Sequence, residues 1–280
     1  MPFCLLLLLP AAAAVTPCDN DGDCYQTPEW RCLQTTAAAG GKPCVLDYAF
    51  NETGFCACNN TGPEGVCVPG VYPAAEPGKV QYLVVGDSIS MGYFPTLKAK
   101  LAATHQAVHA PGNNDNTNWG SRCIKGWLGP DPSRWELITM NWGAHDLAFP
   151  DNEHLPIPIY SKLLANITAQ LKQLAPKAKL FWVTTTPVPT DPPPDPKTGK
   201  PCTLIPGRLE SSVLQYNAAA AGVVAEASGV GVCDMHTVIN DHCGVGYKTC
   251  DIAQCGGPHF PGKGFEMLGE AMAKCVTKKQ

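Results

Sequence analysis

The sequence has few charged residues and lacks long basic or hydrophobic runs. Only 16% of the residues are Asp, Glu, Lys or Arg while 45% are hydrophobic, a balance that excludes a disordered chain and supplies enough apolar material for a core. The net charge is −4, and no run of basic residues is longer than the pair Lys278 and Lys279, so nucleic acid is not expected as a partner. After the first fifteen residues, no stretch contains the roughly 18 apolar residues that a membrane-spanning helix requires.

Cysteine, by contrast, is abundant, with fifteen residues in the chain. The sequence begins with a short run of leucines and then alanines, MPFCLLLLLPAAAAV, which is typical of a secretory signal peptide over residues 1–15, although it lacks Lys and Arg. A buried first helix is the alternative. Secretion makes disulfides the expected state of the cysteines, and the Asn-x-Thr sequons at Asn51, Asn59 and Asn166 agree with an extracellular glycoprotein.

The cysteines divide the chain after the signal peptide into two parts. Residues 16–70 contain seven of them in a segment rich in Gly, Asn, Thr and Pro, which predicts a small module stabilised by disulfides. The spacing of Cys56, Cys58 and Cys67 resembles the end of an epidermal-growth-factor-like module. Residues 71–79 are predicted to be a linker, and residues 80–280 a second domain that contains the other seven cysteines. Because seven is odd, complete pairing requires a disulfide between the two parts.

Residues 80–280 alternate between predicted strands and helices, which favours a three-layer α/β/α sandwich around a five-stranded parallel sheet. The predicted strands are residues 80–85, 107–109, 137–142, 179–185 and 230–233. One predicted helix has an apolar face formed by Ile159, Leu163, Leu164, Ile167, Leu171 and Leu174. Two further helices are predicted over residues 211–227 and 264–276. The long connection 187–207 contains eight prolines, and Cys202 within it indicates an ordered, tethered loop over the functional site.

The first predicted strand ends at Gly86-Asp87-Ser88, where a helix is expected to begin. Functional groups in open parallel sheets lie at the carboxyl ends of the strands. A serine at this point can present its hydroxyl next to the backbone N–H groups of a helix N-terminus, which stabilise negative charge. The alternative is that Ser88 only caps the helix.

Four blocks of sequence, in order, resemble the SGNH (GDSL-type) hydrolases. Residues 86–102 (GDSISMGYFPTLKAKLA) resemble the first block, and residues 137–147 (LITMNWGAHDL) the third. Residues 216–236 resemble the helix and fifth strand of the family, and residues 255–276 (CGGPHFPGKGFEMLGEAMAKCV) its last block. The resemblance extends over about 70% of the chain, from residue 80 to 275, and agrees with a flavodoxin-like parallel sheet.

The resemblance implies nucleophilic acyl transfer. Ser88 would attack an ester carbonyl, and His259 would accept its proton and return it to the leaving alcohol. In the third block, His145 occupies the position of the family's oxyanion-hole Asn, and an imidazole N–H can donate the same hydrogen bond. Asp146 would then fix the tautomer of His145 or the loop. This Asn-x-Gly-x-His-Asp pattern is similar to a variant branch of the family.

The second block of the family is aligned least clearly. It places Asn114 where many members supply a backbone N–H to the oxyanion, and Asn113 and Asn114 could add side-chain donors. An Asn-rich turn without such a function is the alternative.

The last block departs from the family pattern. Gly256 stands where the family has the Asp of its triad, so the third member is absent, supplied by a main-chain carbonyl near Gly256, or supplied by Asp251. A zinc site is the alternative for this segment, because Cys243, Cys250, Cys255, His242 and His259 lie close together in sequence. The cysteine spacing lacks Cys-x-x-Cys pairs, however, and disulfides are the expected state.

These observations predict a secreted serine esterase that acts through an acyl-enzyme, with no metal or organic cofactor. Its expected partner is a small-molecule or carbohydrate ester, with O-acylated carbohydrate as the first substrate class to consider. The rival hypothesis is a catalytically degenerate protein of the same fold that binds its partner through the Cys-rich module.

Overall fold

The computed structural model describes residues 69–148, 154–191, 194–195, 199–202, 208–244, 247, 250–255 and 257–278. All of them lie in residues 66–280, the second of two units into which the chain divides. The predicted signal peptide, the sequons at Asn51 and Asn59 and nearly all of the predicted Cys-rich module lie outside the described residues. None of the described helices is both long and apolar enough to cross a lipid bilayer.

The centre of the domain is a sheet of five parallel strands, as expected from the alternation of elements. The strands run in the spatial order β2-β1-β3-β4-β5. Their bounds are β1 Val80–Val85, β2 His105–His109, β3 Leu137–Met140, β4 Lys179–Val183 and β5 Val230–Cys233. The predicted fold class is therefore confirmed, and the carboxyl ends of β1 and β3, which precede Ser88 and His145, lie side by side.

Six α-helices in the described residues cover the two faces of the sheet. They are α1 Ser88–Leu101, α2 Thr117–Trp127, α3 Ile157–Leu174, α4 Glu210–Glu226, α5 Met235–Cys243 and α6 Lys263–Thr277. Helix α3 packs against both α2 and α4, and α6 packs against both α1 and α5. Right-handed crossovers between parallel strands place these two sets of helices on opposite faces.

One face of α3 is buried, but it is not the whole face that the sequence predicted. Tyr160, Leu164, Ile167 and Leu171 are fully buried at helical spacing, whereas Ile159 is 47% exposed. The expectation for Ile159 was wrong because the buried stripe runs through the neighbouring Tyr160, and one helical residue corresponds to a rotation of about 100°.

Helices α1 and α6 approach each other closely at two glycines. A Cβ atom at Gly92 would lie 2.3 Å from the ring of Phe265, and one at Gly269 would lie 2.8 Å from the carbonyl oxygen of Tyr93. This contact matters for the site because α1 begins at Ser88 and α6 follows the loop that contains His259.

The residues predicted to form a linker pack against the α/β domain. The Tyr72 hydroxyl donates a hydrogen bond to the Trp127 carbonyl, and its ring meets Trp135 edge-on at 5.0 Å. The Gly70 N–H donates to the carbonyl of Gly126 at 2.8 Å. Residues 71–79 are thus attached to the domain through the side chain of Tyr72, which their Pro- and Gly-rich composition did not predict. The described residues begin at residue 69.

Three disulfides connect loops and elements around the sheet. They are Cys202–Cys255, Cys233–Cys275 and Cys243–Cys250. Cys243, Cys250 and Cys255 are therefore disulfide sulfurs, as expected. Among the described residues, no group of three or more His, Cys, Asp or Glu side chains is arranged to hold a metal ion. Cys123 is also disulfide-bonded.

The Cys202–Cys255 bond ties the proline-rich connection to the segment just before His259. The start of the connection is also attached, because the Val188 N–H donates to the Glu210 carboxylate at 2.8 Å. Residues 192–193, 196–198 and 203–207 of the connection lie outside the described residues, so its predicted position over the site stays a prediction.

Candidate active site

Ser88 and His259, which are 171 residues apart in sequence, lie together in the fold. The distance between Ser88 Oγ and His259 Nε2 is 2.8 Å, which is hydrogen-bonding distance. A serine hydroxyl next to an imidazole nitrogen is the arrangement needed to activate the oxygen as a nucleophile. The structure therefore brings together the two residues that the sequence proposed as nucleophile and base.

The position of Ser88 follows from the end of β1. Asp87 is the N-cap of α1, and its carboxylate accepts a hydrogen bond from the Ile89 N–H at 2.9 Å. Ser88 is thus the first residue of the helix and not its cap, which is the role of the neighbouring aspartate. The Ser88 hydroxyl does not cap the helix and lies within hydrogen-bonding distance of His259.

His259 lies in the loop before α6, where its carbonyl accepts a hydrogen bond from the Gln254 N–H at 3.0 Å. Burial, with smaller effects from the positive charges of Arg208 and His145, lowers the pKa of His259 to about 4. The imidazole is consequently neutral near pH 7, which is the state in which it can accept a proton.

His145 lies between two polar side chains of the loop that follows β2. Its Nδ1 is 3.3 Å from a carboxylate oxygen of Asp115, and its Nε2 is 3.5 Å from the amide nitrogen of Asn113. Asp115 was not identified from the sequence. The signal that could have identified it is weak, namely a carboxylate two residues after an Asn in a predicted turn.

Asn114 does not occupy the role that the alignment suggested. Its backbone N–H donates to the Gly86 carbonyl at 3.1 Å, and its side-chain oxygen accepts from the Gly86 N–H at 2.9 Å. Its side-chain nitrogen donates to the Pro111 carbonyl, and its own carbonyl accepts from the Trp142 indole. All of its polar groups therefore connect loops, and its N–H is not directed at an oxyanion.

Asp146 fixes the loop and not the tautomer of His145. It is fully buried, and its carboxylate accepts hydrogen bonds from the Thr117 hydroxyl at 2.6 Å and from the Thr117 N–H at 3.0 Å. Thr117 is the first residue of α2, so Asp146 anchors the loop after β3 to the beginning of this helix.

Two candidates for the third member of a triad were Asp251 and a main-chain carbonyl near Gly256. The Asp251 carboxylate accepts hydrogen bonds from His242 at 2.6 Å and from Lys263 at 2.9 Å, so it belongs to an exposed cluster of charged side chains. Gly256 lies outside the described residues, and orientation of His259 by a nearby carbonyl stays a prediction.

Arg208 is a second residue that the sequence did not identify. It follows the proline-rich connection, and its Nε donates to the Ala144 carbonyl at 3.0 Å. Its charge acts on His259, His145 and Asp87. No motif distinguishes an arginine at the end of a long loop, and only the fold brings it to the site.

The fold is shared with solved structures of esterases, although no family model and no curated protein matches the sequence. One such structure is an acetyl xylan esterase, with TM-score 0.54 and 12% identity, covering 70% of this chain and 100% of the other. Another is a carbohydrate esterase family 3 protein from Talaromyces cellulolyticus, with TM-score 0.52, 14% identity, and coverage of 70% and 96%.

A third similar structure is described as a GDSL-like lipase from Parabacteroides merdae, with TM-score 0.53, 10% identity, and coverage of 73% and 99%. At these identities the likeness establishes the fold. This chain therefore has the α/β fold that these structures share. The variant third block and the growth-factor-like module stay predictions.

Proposed function

We propose that this protein is a secreted serine esterase that hydrolyses carboxylic esters through an acyl-enzyme. The observation that supports this most directly is the 2.8 Å contact between Ser88 Oγ and His259 Nε2 at the carboxyl end of β1. The disulfides of the described domain support an oxidising destination.

In this mechanism Ser88 Oγ attacks the ester carbonyl carbon while its proton passes to His259 Nε2. The tetrahedral intermediate collapses, and His259 returns the proton to the leaving alcohol. A water molecule then attacks the acyl-enzyme, with His259 again as base, which releases the acid and regenerates Ser88. The lowered pKa of His259 supports this role, because the base must be unprotonated when each nucleophile attacks.

O-acetylated carbohydrate is the substrate class that we infer. Two of the similar structures are named as an acetyl xylan esterase and a carbohydrate esterase, and a small acyl group suits a site bordered by the polar side chains of Asn113, His145 and Arg208. A comparison of acetylated xylan, short aryl esters and long-chain esters would test this inference.

Substitution of the nucleophile tests the proposed function. Ser88→Ala should reduce turnover of a short-chain aryl ester by at least about a thousandfold, while the circular dichroism spectrum is retained. Ser133→Ala, at an exposed serine in the connection before β3, is the matched control and should keep full activity.

A fluorophosphonate probe separates the esterase from a catalytically degenerate binding protein. Labelling of Ser88 in the wild type, and its loss in Ser88→Ala, is the expected result. A folded wild-type protein that is not labelled would favour the binding protein.

A further inference from the structure

The disulfide between Cys202 and Cys255 lies in the segment that supplies the candidate base. Cys255 precedes His259 closely in sequence, and the Gln254 N–H donates to the His259 carbonyl at 3.0 Å. This hydrogen bond closes residues 254–259 into a short loop that contains Cys255. The disulfide is therefore attached to the same loop that presents His259 to the candidate nucleophile.

Apolar packing against α6 holds the two ends of this loop. Ile252 and Phe260, which flank the loop, are both buried. They pack against Gly264 in the first turn of α6, where an added Cβ atom would lie 2.6 Å from the Cβ of Phe260 and 3.1 Å from that of Ile252. The described residues between them are only half-buried. Packing thus fixes where the loop begins and ends, while Cys255 and His259 lie in its less buried part.

The other end of the crosslink, Cys202, belongs to the proline-rich connection, which is attached to the domain on both sides of this cysteine. Before Cys202, the Val188 N–H donates to the Glu210 carboxylate at 2.8 Å. After it, Arg208 Nε donates to the Ala144 carbonyl at 3.0 Å. The disulfide therefore joins the loop of the base to a segment that is itself restrained.

Exposure distinguishes this bond from the other two disulfides of the described residues. Cys202 and Cys255 are both half-buried. Each of the other two bonds contains at least one buried cysteine, and these buried residues are Cys233, Cys243 and Cys250. Exchange with a thiol requires a thiolate to reach a sulfur of the disulfide. Cys202–Cys255 is therefore the bond of these three that a thiol should reduce first.

We propose that the Cys202–Cys255 disulfide positions His259 for catalysis, so that the enzyme turns over when this bond is intact and loses turnover when a thiol reduces it. This rests on the proposed esterase function. Reacting groups have to be held precisely, because a displacement of about 1 Å can cost about a hundredfold in rate. Without the crosslink, the loop is free to move His259 out of its 2.8 Å contact with Ser88. Neither cysteine touches the substrate, so both are positioning residues.

The reductive step needs a dithiol, such as dithiothreitol, as co-reactant. One of its thiolates attacks a sulfur of the disulfide, the S–S bond breaks, and a mixed disulfide forms. The second thiol of the reductant then closes its ring and releases the protein sulfur. Two electrons and two protons pass to the protein, so Cys202 and Cys255 become thiols and the reductant becomes a cyclic disulfide. His259 is chemically unchanged, and reoxidation should restore activity.

Replacement of both cysteines tests the positioning role directly. In Cys202→Ser/Cys255→Ser, kcat for a short-chain aryl ester should fall by about tenfold or more, because the base is displaced. The KM should change by less than about twofold, because the contacts that bind the substrate stay in place. The rate at which the fluorophosphonate probe labels Ser88 should fall with kcat, since labelling uses the same nucleophile and base.

Cys233→Ser/Cys275→Ser is the matched control. The sequence separations of the two crosslinks are 53 and 42 residues, so both restrict the unfolded chain to a similar degree and their loss should lower the Tm by similar amounts. Cys233–Cys275 joins β5 to the last turn of α6 and lies outside the loop of His259. At a temperature where all the variants are folded by circular dichroism, this control should keep the wild-type kcat.

Reduction of the wild type by dithiothreitol should reproduce the double substitution. As kcat falls, alkylation followed by peptide mapping should find Cys202 and Cys255 modified before the buried cysteines. Removal of the reductant and addition of oxidised glutathione should restore kcat. Cys202→Ser/Cys255→Ser should not lose further activity at the same concentration of dithiothreitol, because the sensitive bond is already absent.

An unchanged kcat in folded Cys202→Ser/Cys255→Ser would overturn the proposal. An equal loss of kcat in Cys233→Ser/Cys275→Ser would overturn it as well, since stability and not position would then determine turnover. The same holds if dithiothreitol still inactivates Cys202→Ser/Cys255→Ser, because the effect would come from another bond. Failure of the esterase function would instead appear as an oxidised wild type that the fluorophosphonate probe does not label, so the two failures are distinguishable.

Discussion

Arg208 contributes to the charge environment of the candidate base. Its positive charge is one of the causes that lower the pKa of His259 to about 4, after burial. Because a base acts only when it is unprotonated, kcat/KM should be lost as the pH falls through this value. Arg208→Gln removes a charge that opposes protonation of His259, so the acid limb of the pH profile should move to higher pH.

Two companion variants make the role of this charge measurable. Arg208→Lys keeps the charge but loses the Nε donor to Ala144, so its acid limb should stay near that of the wild type even if kcat falls. Arg122→Gln, at an exposed position on α2, should have no effect. An unshifted acid limb in Arg208→Gln would show that the charge of Arg208 does not contribute to the pKa of His259.

At the scale of residues, the sequence indicated which side chains could act as nucleophile and base, but it did not predict the contacts of the surrounding loop residues. Ser88 and His259 could be proposed because each stands in a recognisable block, and the fold brings them within 2.8 Å. Asp115 could not be predicted, because its contact with His145 depends on a left-handed turn of the backbone. Asn114 failed as a predicted donor because hydrogen bonds to Gly86 use the same N–H.

At the scale of elements, the packing of α1 against α6 determines how the nucleophile meets the base. Gly269→Ala would place a Cβ atom 2.8 Å from the Tyr93 carbonyl oxygen and 3.0 Å from the Leu97 backbone nitrogen, and backbone atoms cannot move aside cheaply. We expect Gly269→Ala to lower the free energy of unfolding by about 1–3 kcal/mol. Urea denaturation monitored by tryptophan fluorescence measures this change.

Gly222→Ala is the matched control for this substitution. Gly222 also lies within a helix, α4, but a Cβ atom there meets nothing within 4 Å. Helix propensity then acts alone, and the alanine should stabilise the protein by about 0.5–1 kcal/mol. If both alanines had the same effect, close packing between α1 and α6 would not contribute to stability.

The elements themselves were largely predictable, for a physical reason. A strand that is buried on both faces of a parallel sheet consists mostly of apolar residues, so it can be recognised in the sequence as a short apolar run. The run VQYLVV forms β1 over the predicted residues. Ile159 shows where periodicity fails, because the hydrophobic residue is exposed and the neighbouring tyrosine is buried. Residues 71–79 show that a Pro- and Gly-rich segment can still be anchored by one aromatic ring.

At the scale of the whole molecule, strand order explains how distant segments form one site. The strand β1 lies between β2 and β3, so the loop after β2, with Asn113 and Asp115, and the loop after β3, with His145, border Ser88 at the same edge of the sheet. The chain comes back to Ser88 in the loop before its last helix, and this loop supplies His259. A parallel sheet places all of these loops on one side without any further constraint.

The cysteines give the last prediction, which concerns the connection of the α/β domain to the rest of the chain. Of the seven cysteines from Cys123 onward, six form three disulfides with one another. Cys123 is also disulfide-bonded, and it is only 1% exposed, at the centre of α2. Because the seven cysteines of residues 18–67 are odd in number as well, we expect Cys123 to pair with one of them.

Peptide mapping under non-reducing conditions should therefore recover a peptide of α2 joined to a peptide from residues 18–67, together with the three internal pairs. Cys123→Ser should lower the free energy of unfolding by about 2–5 kcal/mol and release a free thiol in that earlier segment. Recovery of Cys123 as a free thiol, or joined to one of the other six, would contradict the prediction.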